Sequence, residues 1–172
     1  MQSYDELARW ESRTPGAVVR GRRADTAGPR IHWLSGNGFC GGVYWPLLRQ
    51  LLPDYSLFIH DIEGHGDSDA PARFSGTAAV RQRIGTVIEE QGLRREPLIG
   101  MGHSYGGAQT LRLAAENPGL FKALVLLDPI LMPPPVFAFW RGLGALHRLP
   151  FANGTRKRRD GSPAFTTPRP RQ

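Results

Sequence analysis

The stretch that most constrains this chain is Gly102-His103-Ser104-Tyr105-Gly106, which follows the apolar run 98–101 and precedes residues typical of a helix. The G-x-S-x-G pattern is typical of a serine held on a sharp turn between a buried strand and a helix. Glycines at both ends let strand and helix approach closely, because a Cβ at either position would clash. Ser104 is therefore expected to have a strained backbone and a hydroxyl above the sheet edge. The alternative is a serine that only caps the helix.

Apolar runs alternate with helical patterns along the rest of the chain. A short amphipathic helix is predicted for residues 4–11, followed by an edge strand at 17–22. Further strands are predicted at 30–34, 55–60, 98–101 and 121–127, and helices at 43–52, at 77–91 and after Ser104. Parallel strands need crossover helices, so this alternation predicts an α/β fold, with a mostly parallel sheet covered by helices on both faces.

Four polar or glycine-rich features come directly after predicted strands. They are the loop at 35–42, the acidic loop at 61–69, Ser104 and Asp128. Ligands of such sheets bind beyond the carboxyl ends of the strands. The sequence therefore predicts a ligand-binding rim that includes these four features.

Length and composition limit the class of protein. A chain of 172 residues suits one domain, and no apolar run is long enough to cross a bilayer, so no membrane span is expected. The first ten residues lack a signal-peptide pattern and Cys40 is the one cysteine, which together predict a cytoplasmic location.

The net charge of +7 resides in the last part of the chain. Residues 1–140 contain 14 basic and 14 acidic side chains, whereas residues 141–172 contain eight basic side chains and the single acid Asp160. Nucleic-acid binding would use such a tail, but clustered aromatic residues and a recognised binding fold are lacking. We therefore expect no nucleic-acid partner and a solvated tail.

Three segments resemble the α/β-hydrolase superfamily, in its order and spacing: Trp33 to Phe39, Asp61 to Ser68 and Gly102 to Gly107. The resemblance covers roughly residues 17–132. It implies the family's fold, a serine nucleophile at Ser104, a small ester or related carbonyl substrate, and no metal or organic cofactor. It also implies that the acidic loop is a structural turn and not a metal site.

The resemblance implies an oxyanion hole made of two backbone N–H groups. The first belongs to Tyr105, directly after the nucleophile. The second comes from the glycine-rich loop, with Phe39 first by alignment and Asn37 and Gly38 close behind. The alternative is a tight turn that binds nothing. Ser35 stands where many relatives have histidine, but backbone donors do not depend on that side chain.

The remaining members of a catalytic triad are less clear from the sequence. Asp128 is a candidate acid, and the alternative is a structural aspartate that caps the loop before Pro129. His103 is a poor base, because neighbours on a tight turn point apart. In the family order the base follows the acid, on a loop after a final strand. His147 is the one histidine beyond Asp128 and falls in what looks like the start of a cap, so the sequence offers no base.

The chain is therefore interpreted as an α/β-hydrolase that is incomplete at its C-terminal end. Residues 1–132 would form the core, 133–149 would begin a cap helix, and 150–172 would be a basic, proline-rich, disordered tail that looks truncated or frame-shifted. Without its base such an enzyme has impaired or no activity. The alternative is a non-catalytic remnant or interaction module, which would self-associate through an exposed sheet edge.

Overall fold

The structure, a computed structural model, describes residues 2–131 apart from 73, 75 and 97, together with 133, 135, 136, 138 and 139. Within these residues six strands form one sheet: β1 (Ala8–Thr14), β2 (Ala17–Ala24), β3 (Arg30–Leu34), β4 (Ser56–Asp61), β5 (Leu98–His103) and β6 (Phe121–Leu127). The α-helices are α1 (Trp45–Leu48), α2 (Thr77–Glu90) and α3 (Ser104–Glu116). Short 3₁₀ turns lie at Tyr4–Glu6, Gly41–Tyr44, Arg49–Leu51 and Leu93–Arg95.

The sheet has the order β1-β2-β4-β3-β5-β6. β4, β3, β5 and β6 run parallel, whereas β1 and β2 are antiparallel additions at one side. Leu34 of β3 pairs with Gly102 of β5, so the loops that follow these two strands emerge side by side. The mostly parallel α/β sheet predicted from the sequence is confirmed.

Two apolar clusters cover the two faces of the sheet. One joins α2 and α3 to Leu34, Phe58 and Leu98. The other joins α1 to Ile31, Trp33, Leu57 and Ile59. Because neighbouring residues of a strand point to opposite faces, β3 and β4 contribute alternately to both clusters. Helices therefore lie on both faces, as predicted.

The N-terminal predictions were partly wrong. The segment predicted as a helix over residues 4–11 is a single 3₁₀ turn followed by β1, in which Trp10, Ser12 and Thr14 are buried in alternation. Trp10 stacks on Phe58 with 4.4 Å between ring centroids and donates its indole N–H to Ile59 O at 3.1 Å. This tertiary packing outweighs the helical pattern. β2 lies between β1 and β4 and is therefore not the edge strand that was predicted.

The opposite side of the described sheet is formed by β6. Four of its residues are exposed, among them Leu124 and Val125. No helix within the described ranges is long and apolar enough to cross a bilayer. Within the segment predicted to begin a cap helix, 133–149, the structure describes 133, 135, 136, 138 and 139, and the last four of these are helical. The rest of that segment and the predicted tail at 150–172 lie outside the described residues.

Candidate active site

Ser104 lies at the junction of β5 and α3. It has φ 50°, which is unfavourable for a residue with a side chain and corresponds to roughly 1–3 kcal/mol of strain. A Cβ on Gly102 would lie 2.7 Å from Gly106 C, and one on Gly106 would lie 2.3 Å from Leu34 O. The two glycines therefore have the steric role predicted for them, and α3 begins directly against the end of β3.

The glycine-rich loop after β3 has most of its N–H groups already engaged. Gly36 N donates to Tyr44 Oη at 3.3 Å, Gly38 N to His65 Nε2 at 2.9 Å, and Phe39 N to Gly36 O at 3.1 Å. The N–H of Asn37 has no acceptor among the residues that the structure describes. Of the three predicted loop donors, Asn37 is thus the one that remains free.

Tyr44 connects this loop to the serine turn. Its hydroxyl lies 2.8 Å from His103 Nδ1, one residue before Ser104. A Cβ on Gly36 would also lie 2.8 Å from that nitrogen. The glycine-rich loop and the serine turn are therefore in direct contact. The role of Tyr44 could not be found from the sequence, because no motif links it to His103.

Asp128 follows β6 at the same rim. It is exposed and has φ 43°. The segment after it contacts the serine turn, since Ile130 N donates to Ser104 O at 3.2 Å. Within the described part of the chain no group hydrogen-bonds to the Asp128 carboxylate. The structure thus brings Asp128 to the rim but shows no hydrogen bond that would assign it a role as acid or as cap.

The described histidines are all engaged away from Ser104. His32 Nε2 and His60 Nδ1 are 3.2 Å apart inside the sheet, and burial lowers the pKa of both, that of His32 to about 3. His65 contacts Gly38, and His103 contacts Tyr44. Among described residues none hydrogen-bonds to Ser104 Oγ. His147 lies outside the described residues.

The acidic loop is held by its own polar side chains. The buried Asp61 carboxylate accepts N–H groups from Gly41 at 2.8 Å and from Asp67 at 3.2 Å. Burial raises the pKa of Asp61 to about 6, although both N–H donors oppose this shift. Ser68 Oγ accepts from Arg20 N at 2.8 Å. In the described ranges no three His, Cys, Asp or Glu side chains form a group that could hold a metal ion.

The three segments singled out in the sequence thus lie together at one end of the sheet. Residues 34–158 match the alpha/beta hydrolase fold family. Lipase LipV from Mycobacterium tuberculosis is 38% identical over 88 residues, which are 51% of this chain and 33% of the lipase. Human monoglyceride lipase is 34% identical over 107 residues, 58% of this chain and 34% of that enzyme.

The chain therefore spans about a third of the length of these two curated relatives. The crystal structure of an alpha/beta hydrolase from Novosphingobium aromaticivorans superposes with a TM-score of 0.67 at 23% identity, covering 83% of this chain and 50% of that one. The family match extends over most of the sequence, and the fold and the serine turn agree with it. The chain belongs to the alpha/beta hydrolase fold family.

Proposed function

We propose that this chain carries the nucleophile and oxyanion parts of a serine hydrolase that acts on a small ester. The observation that carries the proposal is Ser104, held at φ 50° on the turn where α3 begins. Such strain is retained where a hydroxyl must be presented to a substrate. Relatives named as lipases support an ester as the substrate class.

Two backbone N–H groups would bind the oxyanion. Tyr105 lies in the first turn of α3, where N–H groups have no partner within the helix. We assign the second donor to Asn37, because Gly38 and Phe39 already donate to other atoms. An oxyanion can use Asn37 N–H without breaking a hydrogen bond of the protein, whereas the predicted donor Phe39 would have to give up its turn.

The proposed reaction has two steps. Ser104 Oγ forms a bond to the ester carbonyl carbon and loses its proton to a base, and collapse of the oxyanion expels the alcohol. Water then releases the acid from the acyl-enzyme. The described residues include no base in contact with Ser104, so we expect turnover by this chain to be impaired by several orders of magnitude. Asp128 remains the candidate acid.

The proposed chemistry requires neither a metal nor an organic cofactor, because a side-chain nucleophile and backbone donors suffice. The partner is a small-molecule substrate, and nucleic acid has no part in the reaction. A cytoplasmic location is proposed because Cys40 is a buried free thiol.

A fluorophosphonate probe tests the nucleophile directly. We expect covalent labelling of the native chain and no labelling of Ser104→Ala. Labelling of Ser3→Ala should be unchanged, because Ser3 is an exposed serine far from Ser104 in the sequence. Labelling of the native chain no greater than that of Ser104→Ala would overturn the proposal. Turnover of p-nitrophenyl acetate then measures how far the lack of a base near Ser104 among the described residues limits the two steps.

The second candidate function is a non-catalytic interaction module that binds a second copy of itself. It is favoured by β6, which ends the described sheet and exposes Leu124 and Val125. Open strand edges pair readily with other strands. Sedimentation velocity would show a dimer that Val125→Lys dissociates, whereas Val43→Lys, a change at another exposed valine, would leave it intact. A monomer at all concentrations would exclude this function.

A further inference from the structure

We propose that His65 is a positioning residue for the oxyanion site: its neutral ring, protonated on Nδ1, holds the loop that presents the Asn37 N–H. This inference rests on the proposed function, since it concerns the donor assigned there. His65 lies in the acidic loop, 27 residues from the glycine that it contacts. This contact links the acidic loop to the glycine-rich loop.

The hydrogen bonds of His65 determine which ring nitrogen carries the proton. Nδ1 lies 3.0 Å from Glu63 O, and Nε2 lies 2.9 Å from Gly38 N. A carbonyl oxygen can only accept and a backbone N–H can only donate. The proton of the neutral ring must therefore reside on Nδ1, and Nε2 accepts the N–H of Gly38.

Protonation of the neutral His65 ring would change the hydrogen-bond partner of Nε2. Protonated Nε2 cannot accept from Gly38, so that hydrogen bond would be lost. Asn37 Oδ1 lies 3.3 Å from the same nitrogen and would then receive a hydrogen bond from it. Protonation would thus pull on Asn37, the residue whose backbone N–H we assign to the oxyanion, and release the glycine next to it.

The neutral ring is the form that its surroundings favour. Burial lowers the pKa of His65, and its contacts with the backbone of Glu63 and Ile62 oppose this shift. The ionisable side chains of its own loop are engaged elsewhere: Asp61 accepts from Gly41 N, Glu63 pairs with Arg83, Asp67 pairs with Arg22, and Asp69 pairs with Arg20. From the glycine-rich loop and the serine turn, Tyr44 and His103 contact each other, and Cys40 is a buried thiol.

Two side chains therefore hold the loop on either side of Asn37. Tyr44 Oη accepts the N–H of Gly36, and His65 Nε2 accepts that of Gly38. The residue between them is left with a free N–H. Preorganised donors stabilise an oxyanion because they need not reorient during the reaction. Loss of either acceptor would loosen the donor without removing it.

Two variants separate this role from a purely structural one. In His65→Gln the amide oxygen replaces Nε2 as acceptor but does not titrate, and in His65→Leu no acceptor remains. The whole chain would be labelled with ¹⁵N, and the Gly38 amide and the His65 ring nitrogens would be followed from about pH 8 to about pH 4, across the usual histidine pKa. In parallel, the rate of fluorophosphonate labelling of Ser104 would be measured at each pH.

We expect Nε2 of the native chain to be the unprotonated nitrogen at high pH, and the Gly38 amide to shift at the same midpoint as the ring. The labelling rate should fall with that midpoint. The part of the pH dependence that follows the His65 midpoint should disappear in His65→Gln. Labelling of His65→Leu should be roughly tenfold slower or more, below the 10²–10³-fold loss of a whole donor.

The inference would be overturned if the chemical shift of the Gly38 amide did not change as His65 ionises, or if Nδ1 were the unprotonated nitrogen of the neutral ring. A native labelling rate that stays constant through the His65 titration would also overturn it. If Ser104 is never labelled, the proposed function fails, while the amide titration still decides whether His65 holds the loop. Because that titration uses the native chain, the test survives even if His65→Leu does not fold.

Discussion

The rim of the sheet is built differently on its two sides. Beyond β3 and β4, the glycine-rich and acidic loops hydrogen-bond to each other, through Gly38 with His65 and Gly41 with Asp61. Beyond β6, Asp128 is exposed and its carboxylate has no hydrogen-bond partner in the described part of the chain. The side beyond β3 and β4, held by these buried and half-buried polar contacts, is the ordered side. The side beyond β6, where no described residue hydrogen-bonds to the Asp128 carboxylate, is the open side.

This difference would separate two parts of the proposed chemistry in space. Of the two proposed oxyanion donors, Asn37 lies on the ordered side, where Tyr44 and His65 accept the N–H groups of its neighbours, and Tyr105 lies in the first turn of α3. Proton transfer would depend on the open side, where Asp128 lies and where no described base contacts Ser104. The described part of the fold would therefore preorganise the proposed oxyanion site, although none of its residues contacts Ser104 as a base.

Lowering the pH should have the largest effect, a loss of the free energy of unfolding caused by the buried histidines of β3 and β4. His32 has a folded pKa of about 3, below the usual 6.5, because it is buried. The unfolded chain then binds more protons between these values, so this stability is present above pH 6.5 and is lost as the pH falls. The expected loss is about 1.4 kcal/mol per pH unit for each such histidine. Urea unfolding at several pH values measures it.

The buried Asp61 acts in the opposite direction and partly offsets this loss. Its folded pKa of about 6 lies above the usual 3.8, so the stability linked to it is present at low pH and is lost as the pH rises through 6. In His32→Phe the loss caused by His32 is absent and the opposite effect of Asp61 remains, so the free energy of unfolding should fall less steeply with falling pH. A native curve that is flat between about pH 7 and about pH 4 would contradict the assignment.

Two glycine substitutions in helices should differ strongly. In Gly106→Ala the new Cβ would lie 2.3 Å from Leu34 O, so β3 and α3 must separate, at a cost of about 2–3 kcal/mol. In Gly85→Ala the nearest atom is Leu113 Cδ1 at 3.9 Å, and alanine should stabilise α2 by about 0.5–1 kcal/mol. Thermal unfolding of both variants compares them, and equal midpoints would refute the close approach at the serine turn.

Two aspartate substitutions compare the sides of the rim directly. Asp61→Ala leaves the N–H groups of Gly41 and Asp67 without their acceptor, which should cost about 1–3 kcal/mol. Asp128→Ala removes an exposed side chain and should change the free energy of unfolding by less than about 0.5 kcal/mol. Urea unfolding at neutral pH is the measurement. A large loss in Asp128→Ala would mean that the open side also has structural contacts.

Sequence reasoning succeeded where the signal was local. β3 matches its predicted bounds, α2 ends before Gly92 with its φ of 65°, and Ser104 has the strained backbone that was predicted, with φ 50°. The prediction was wrong at β1. Ser12 and Thr14 are buried there although they are polar, so the alternation of buried and exposed residues that is typical of a strand was not visible in the sequence. The segment predicted as one helix over residues 43–52 is α1 with a 3₁₀ turn on each side.

The sequence by itself determined the strand–turn–helix at Ser104, because the glycines and the apolar run act within a few residues of one another. Only the tertiary structure decided which loop N–H groups are free. The acceptors of Gly36 and Gly38, Tyr44 and His65, come from separate segments that meet once β3, β4 and β5 pair. Hydrogen bonds across such distances in the chain depend on strand order, which no local pattern encodes.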